Sequence, residues 1–223
     1  MENCRAIAKK MRLAVVSNSY KVGACHIGSA LSCVDILVDL YWRVLKKGDV
    51  FLFSKASGAA ALYCVLAEKG YFPKSKVAYY LKHYPLASRE VPGVIHSVGS
   101  LGHGLPVACG LALADRKRKV YCLISDAEMQ EGTFWESLLF KWQHNLRNLK
   151  IIVDANGLQA CGWVDDILTI PIIEDEDIKV VRTTKGKGVS FLENEVGSHY
   201  LNLNKETYAQ AVLELDTRSS KTR

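Results

Sequence analysis

The chain has 223 residues, of which 49% are hydrophobic and 23% are charged, and its formal net charge is +6. This length and balance are typical of one α/β-sized globular domain with enough apolar material for a full core. The charge is mild and no basic stripe is interleaved with aromatic residues, so we expect no nucleic-acid binding. Residues 115–119 (DRKRK) are interpreted as a solvated helix C-terminus.

Apolar residues at helical spacing or in short runs predict the following elements in chain order: helix 5–19, helix from 33, strand 49–54, helix 58–70, helix 107–118, strand 119–125, helix 134–146, strand 150–156, strand 177–184 and helix 206–215. Residues 79–97 are predicted to be irregular. The strand, loop, helix and strand over residues 119–156 form a βαβ unit. We therefore predict an α/β fold with a mostly parallel sheet flanked by helices.

The seven cysteines show no metal-binding spacing, and several lie inside apolar periodic segments (Cys33, Cys64, Cys109 and Cys122). Buried free thiols in a reducing compartment are the expectation. The first residues lack the long apolar core of a signal peptide, and no apolar run reaches membrane-spanning length. We expect a cytoplasmic protein without membrane contact.

Residues 125–136 (SDAEMQEGTFWE) place four carboxylates directly after an apolar strand. Asp126 ends that strand and Asn156 ends the next, and parallel strands bring such ends to one edge. Carboxylate and amide oxygens suit Mg²⁺ or Ca²⁺, with phosphate oxygens completing the coordination. The spacing therefore indicates a divalent cation that holds a diphosphate, near the N-terminus of a helix beginning at Thr133.

Structural interpretations of the same acids remain open. Glu136 stands three residues after Thr133, as in a capping box, and would then serve to cap the helix. Glu128 would be solvated, and Asp126 would be a turn residue at the strand end.

Four segments resemble, in order, the N-terminal, diphosphate-binding half of transketolase: SLGHGLPVACGLALA, AEMQEGTFWESLLF, NLKIIVDANGLQACG and TTKGKGVSFLEN. The similarity covers most of the chain and includes a likeness to the thiamine-diphosphate motif, which runs from Gly-Asp-Gly to Asn. The resemblance implies a thiamine-diphosphate-binding domain over residues 1–216, followed by a flexible polar tail over residues 217–223.

The resemblance also implies residue roles. The metal ligands would be Asp126, Asn156 and the main-chain carbonyl of Leu158. Catalytic roles would fall to His26, Glu131 and His199, with Glu131 among acidic contacts that link the two halves of the active site. The implied cofactor-binding residues are Gly99, Leu101, His103, Ser125, Asp126, Ala127, Glu131, Asn156 and His199.

The sequence departs from the family pattern at four places. Ala127 puts a methyl group where a family glycine lets the main chain approach the diphosphate. Ser57 replaces a family histidine. Unlike an imidazole, a hydroxyl cannot take up and release an additional proton near neutral pH. Either His83 or Tyr84 fills another histidine position. Only about twenty residues separate Gly162 from Thr183, so we expect a shortened C-terminal edge of the sheet.

The chain ends where the second half of the family would begin, and the family's pyrimidine-binding domain supplies a glutamate that thiamine catalysis needs. The resemblance therefore implies a partner, a separate C-terminal transketolase subunit, in an α2β2 assembly that transfers a two-carbon ketol unit between sugars or sugar phosphates. Two alternatives stay open: another thiamine-dependent carboligase acting on a specialised sugar, and a degenerate scaffold subunit without catalysis.

Overall fold

The computed structural model describes residues 3–171 and 173–217. Its sheet has four parallel strands in the order β1-β2-β3-β4. The strands are β1 (Val50–Phe53), β2 (Val120–Ser125), β3 (Leu149–Ala155) and β4 (Ile178–Arg182). All six residues of β2 are buried, as expected for a central strand covered on both faces. The predicted parallel α/β fold is confirmed.

Helices cover both faces of the sheet. They are α1 (Cys4–Val22), α2 (Ile27–Asp39), α3 (Ala59–Glu68), α4 (Val77–His83), α5 (Gly104–Ala114), α6 (Gly132–Gln143), α7 (Val164–Ile167) and α8 (Lys205–Thr217). Tyr121 and Leu123 of β2 face a core that α1, α2 and α3 complete. Cys122 and Ile124 face the opposite core, which α5 and α6 complete. The alternation along one strand therefore divides the interior into two layers.

Several predicted element boundaries are wrong. Helix α2 begins at Ile27 instead of Cys33, because its first turn has small residues that fit a crowded place. A β-carbon on Gly28 would lie 2.7 Å from Ser198 Oγ. Helix α4 occupies part of the segment predicted to be irregular. Helix α5 ends at Ala114, so residues 115–119 follow the helix instead of forming its last turn.

The predicted capping box of α6 is also wrong. The N-cap residue is Glu131, with an extended backbone and no side-chain capping bond. Thr133 and Glu136 therefore both lie inside the helix, and the main-chain carbonyl of Thr133 accepts a hydrogen bond from Ser137 Oγ at 2.6 Å.

The connection from β3 to β4 is short, as predicted. Its helix α7 has only four residues, and β4 is the last strand in the described sheet, where Val180 is 56% exposed. A buried ion cluster holds the chain just before β4: Lys141 Nζ lies 3.0 Å from Asp175 and 3.1 Å from Asp177. Charge pairing thus anchors this edge strand to α6.

The four cysteines predicted to be buried are buried, and all seven thiols are free. No helix in the described part of the chain is long and apolar enough to span a membrane. Helix α8 continues through Thr217, the first residue of the predicted flexible tail. The rest of that tail, residues 218–223, lies outside the described residues.

Candidate active site

The predicted metal ligands lie together beyond the carboxyl ends of β2 and β3. Asp126 Oδ2 accepts a hydrogen bond from Gly157 N at 2.6 Å, and its Oδ1 accepts one from Ala127 N at 2.9 Å. Asn156 Oδ1 accepts from Leu158 N at 3.0 Å. Asp126 and Asn156 are each only 7% exposed. The fold therefore joins two segments thirty residues apart into one oxygen-rich loop pair.

The electrostatics of Asp126 fit a cation at this place. Burial raises the pKa of its carboxyl, and the Gly157 N–H and the Lys55 ammonium offset that effect only in part. One carboxylate, one amide oxygen and one main-chain carbonyl are donors that suit Mg²⁺ shared with a phosphate. No cluster of three or more His, Cys, Asp or Glu suited to a metal occurs within residues 3–171 and 173–217.

A buried ion pair that the sequence interpretation missed lies beside this loop pair. Lys55 Nζ is 2.5 Å from Asp154 Oδ2, and the two side chains are 2% and 0% exposed. Burial lowers the pKa of Lys55, but the Asp154 carboxylate outweighs that effect and the net pKa is raised. Thr183 Oγ1 also donates to Asp154. The pair thus connects the ends of β1, β3 and β4.

Glu128, interpreted from sequence as solvated, is completely buried. It accepts hydrogen bonds from Ser54 Oγ, from Ser125 N at 2.7 Å and from Gly102 N at 3.3 Å. Burial raises the pKa of Glu128, and the bond from Ser54 opposes the rise. One carboxylate therefore fixes the ends of β1 and β2 against the loop that precedes α5. The signal available in the sequence was a carboxylate three residues after the last residue of a predicted strand.

The same loop is packed tightly against the start of α6. Gly102 has φ +79°, and a β-carbon there would lie 2.4 Å from Thr133 Oγ1 and 3.0 Å from Glu131 Cβ. Only glycine accepts both this backbone conformation and this approach. The three predicted cofactor residues of the loop are exposed at its rim: Gly99, Leu101 and His103.

Two predicted histidines meet although they are far apart in the sequence. The rings of His26 and His199 lie edge to face with centroids 4.7 Å apart, and His26 N donates to the His199 carbonyl at 2.9 Å. His26 has φ +64° at the N-cap of α2. His199 Nδ1 is buried and has no partner among the described residues. An unpaired buried nitrogen of this kind is expected where a ligand completes the site.

Lys185 gives this pair its electrostatic character and was not predicted. Burial, with the positive charge of Lys185 as the second cause, lowers the pKa of His199 to about 4. The same two causes lower the pKa of His26. Lys185 is 1% exposed, its pKa is lowered to about 8 by burial and by Lys55, and it donates to the Gln159 carbonyl at 3.0 Å. Neutral imidazoles beside a buried ammonium suit an anionic ligand.

The departures from the family pattern have definite positions. Ser57 Oγ lies 2.7 Å from Ser29 Oγ, so this hydroxyl is already paired. Ala127 is buried at the start of a short turn after Asp126. His83 is exposed, with its ring 4.4 Å from the Tyr79 ring, whereas Tyr84 is half-buried. Which of His83 and Tyr84 takes the family position stays open, and the individual roles assigned to the site residues stay predictions.

Comparison with known proteins supports the resemblance. The family profile described as 1-deoxy-D-xylulose-5-phosphate synthase matches residues 1–213. The A subunit of an apulose-4-phosphate transketolase from Actinobacillus succinogenes is 36% identical over 89% of this chain and 89% of its own. A 6-deoxy-6-sulfo-D-fructose transketolase subunit from Clostridium sp. is 29% identical over 88% of this chain and 90% of its own.

Solved structures agree on the fold. A transketolase from Campylobacter jejuni superposes with a TM-score of 0.82 at 20% identity, covering 94% of this chain but 42% of that chain. The profile matches nearly the whole sequence, and the relatives include separate A subunits of transketolases. Both comparisons indicate the N-terminal part of these enzymes. The chain therefore belongs to the thiamine-diphosphate-dependent family of transketolases and 1-deoxy-D-xylulose-5-phosphate synthases, as a counterpart of their N-terminal part.

Proposed function

We propose that this chain is the N-terminal subunit of a split transketolase, which moves a two-carbon ketol unit between sugar or sugar-phosphate substrates. The observation that carries the proposal is the convergence of Asp126 with the loop from Asn156 to Leu158, beside the buried Lys185 and the half-buried His199. Such a site holds a cation and a diphosphate at one end and leaves neutral imidazoles for a sugar. The relatives named as transketolase subunits support this reaction class.

Each side chain has a defined task in this proposal. Asp126, Asn156 and the Leu158 carbonyl hold Mg²⁺ or Ca²⁺, and the diphosphate of thiamine diphosphate supplies further oxygens. Bound thiamine diphosphate supplies the electron sink for breaking and forming the carbon–carbon bond next to a ketone. His26 and His199 are neutral at pH 7, so each can donate or accept a hydrogen bond with a sugar hydroxyl. Lys185 offsets the negative charge of the diphosphate.

The partner in this proposal is a C-terminal subunit with the pyrimidine-binding domain, in an α2β2 assembly. Two helices support a docking surface for it. Helix α5 contains no charged residue, although Leu111 and Leu113 are exposed, and α6 exposes Leu139, Phe140 and Trp142. We call these five side chains the α5–α6 face. A helix that is apolar on all sides is normally covered.

The position of the α5–α6 face also fits this partner. The loop carrying His103 leads into α5, and Glu131 immediately precedes the first residue of α6. The five side chains of the face lie in the second half of each helix, so a subunit that reaches the cleft must also extend along both helices toward their N-terminal ends. Its pyrimidine-binding domain can then reach the cleft.

The test measures ketol transfer by the chain with its partner subunit, using a ketose phosphate or pyruvate as donor. We expect turnover with the ketose phosphate, and its loss in Asp126→Ala and in Asn156→Ala. Asp165→Ala, which removes an exposed carboxylate from α7, is the matched control and should keep full activity. Pyruvate as the better donor would favour the second family activity, a deoxyketose-phosphate synthase. Calorimetry without saturable binding of thiamine diphosphate and Mg²⁺ would contradict both.

A further inference from the structure

A buried hydroxyl lies between the Lys55–Asp154 pair and the predicted metal ligand Asn156. Ser32 Oγ is 2.6 Å from Asp154 Oδ2, 3.0 Å from Lys55 Nζ and 3.3 Å from Asn156 Nδ2. Ser32, Lys55 and Asp154 are at most 2% exposed, and Asn156 is 7% exposed. Water therefore has little access to this group, and the hydrogen bonds must be satisfied within it.

The single proton of Ser32 cannot point toward Asn156. Two acceptors compete for it, the Asp154 carboxylate and the Ser29 carbonyl, which lies 3.0 Å away. The Lys55 ammonium has only donors, so it requires a lone pair of the Ser32 oxygen. What remains for Asn156 is a second lone pair, which only the amide nitrogen can approach favourably. The hydroxyl thus acts as an acceptor toward this amide.

The oxygen of the Asn156 amide has a partner that favours the same orientation. Asn156 Oδ1 accepts the Leu158 N–H at 3.0 Å. A reversed amide would place its NH₂ group against that N–H and its oxygen against a lone pair of Ser32. Both hydrogen bonds would be lost in a buried place, which makes the reversed orientation unfavourable.

We infer that Ser32, held by Lys55 and Asp154, is a positioning residue that fixes the Asn156 amide with its oxygen on the side of the Asp126 loop. This inference rests on the proposed function, because it concerns readiness to bind Mg²⁺ with thiamine diphosphate. Neighbouring groups that orient metal ligands commonly change metal affinity by about 10- to 100-fold when removed.

The experiment measures Mg²⁺ binding by calorimetry at a fixed concentration of thiamine diphosphate, on the full-length chain with its partner. Ser32→Ala should weaken Mg²⁺ binding by about 10-fold or more. The direct contact between Lys55 and Asp154 remains in this variant, so the protein should still fold. The lost hydrogen bonds to the buried pair should lower the melting temperature without ligand, and Mg²⁺ binding is therefore measured at a temperature where the variant is fully folded. Ser32→Cys, which nearly preserves the side-chain volume and accepts hydrogen bonds only weakly, is the second variant if Ser32→Ala does not fold.

Ser19→Ala is the matched control. Ser19 is also buried, and its hydroxyl has no partner among the described residues. Its removal should leave Mg²⁺ affinity unchanged.

A second background isolates the orientation of the amide. Asn156→Asp replaces the amide by a carboxylate with two equivalent oxygens. Rotation of this group by 180° then leaves the same atoms facing the metal and Ser32. Ser32→Ala should then weaken Mg²⁺ binding much less than it does with Asn156 present.

Equal Mg²⁺ affinity of the wild type and Ser32→Ala would overturn the inference. An equal loss in the two backgrounds would do the same, because Ser32 would then act by another route. A wild-type complex that binds no Mg²⁺ with thiamine diphosphate would instead contradict the proposed function.

Discussion

Glu128 shows how a single residue supports the candidate site without belonging to the predicted ligand set. Its carboxylate is buried and accepts bonds from the Ser125 and Gly102 main-chain amides and from the Ser54 hydroxyl. All three groups donate to the Glu128 oxygens, so a side chain at this position that carried its own N–H donor would face other donors. Both oxygens of the Glu128 carboxylate are therefore needed to hold the loop and the strand ends around the cleft.

Glu128→Gln should destabilise the protein by about 2–3 kcal/mol, because the amide nitrogen would face a buried donor and leave it unpaired. Denaturant unfolding monitored by circular dichroism measures this difference. Glu136→Gln, at an exposed position of α6, is the control and should change the free energy of unfolding by less than about 0.5 kcal/mol. Equal stability of the two variants would show that the Glu128 network is dispensable.

His199 should make stability depend on pH. Burial and, to a smaller extent, the charge of Lys185 lower its pKa from 6.5 to about 4, so the folded state favours the neutral ring. Below the unfolded value, the unfolded chain binds a proton that the folded chain excludes. The stability from neutral His199 is therefore complete above pH 6.5 and declines as the pH falls toward about 4.

The free energy of unfolding, measured between about pH 7 and about pH 5, should fall less steeply in His199→Gln than in the wild type. His144→Gln changes an exposed histidine and should retain the wild-type slope. An NMR titration that placed the pKa of His199 above about 6 would contradict the expectation.

At the scale of elements, the position of β4 depends on charge pairing more than on apolar burial. Its side chains are half-buried or exposed, and the chain before it contributes Asp175 and Asp177 to the buried Lys141. Lys150 and Trp142 give these carboxylates further donors. A short connection without a long helix thus obtains its anchor from α6 and β3.

Lys141→Met should reduce stability by about 3–5 kcal/mol, because it leaves two buried carboxylates without their shared cation. Arg43→Ala is the control: Arg43 pairs with Asp39 at the surface, where the side chains are 68% and 42% exposed. Its loss should cost less than about 1 kcal/mol. Thermal and denaturant unfolding of both variants test this. Similar losses of unfolding free energy in the two variants would mean that the buried cluster contributes no more to stability than a surface pair.

The sequence predicted the strands of this fold well, and the reason is physical. Short runs rich in β-branched and other apolar residues, bounded by turn residues, are too short for a typical helix and favour strands, and the ends of neighbouring parallel strands lie at one edge of the sheet. Asp126 and Asn156 were found for that reason. Lys55 and Asp154 were missed because 99 positions separate them along the chain, and no local pattern marks such a pair. The start of α2 was missed because small residues have weak helical periodicity and only packing determines their conformation.

At the scale of the whole molecule, the proposed α5–α6 face and the proposed cofactor cleft lie toward opposite ends of the same two helices. Helix α5 follows the loop with Gly102, and α6 follows Glu131, so the same two helices position the cleft and expose apolar side chains. A partner that covers both helices along their length would also exclude water from the cleft. Association and catalysis should therefore fail together when the face is changed.

Leu139→Glu tests this coupling. Leu139 is 64% exposed on α6, and burying a leucine in an interface contributes about 1.5–3 kcal/mol. A buried unpaired carboxylate adds a further cost. Affinity for the partner subunit, measured by surface plasmon resonance, should fall by at least about 10-fold, and ketol transfer should fall with it at subunit concentrations near the dissociation constant.

The chain offers a closely matched control in Leu213, which is 63% exposed on α8. Leu213→Glu adds the same charge at the same exposure but lies outside the α5–α6 face. Because Leu139 and Leu213 are both exposed, both variants should fold and melt like the wild type, so a difference in partner affinity reports the interface alone. If the two variants bind the partner equally well, the partner docks elsewhere, and the apolar surface of α5 and α6 needs another explanation.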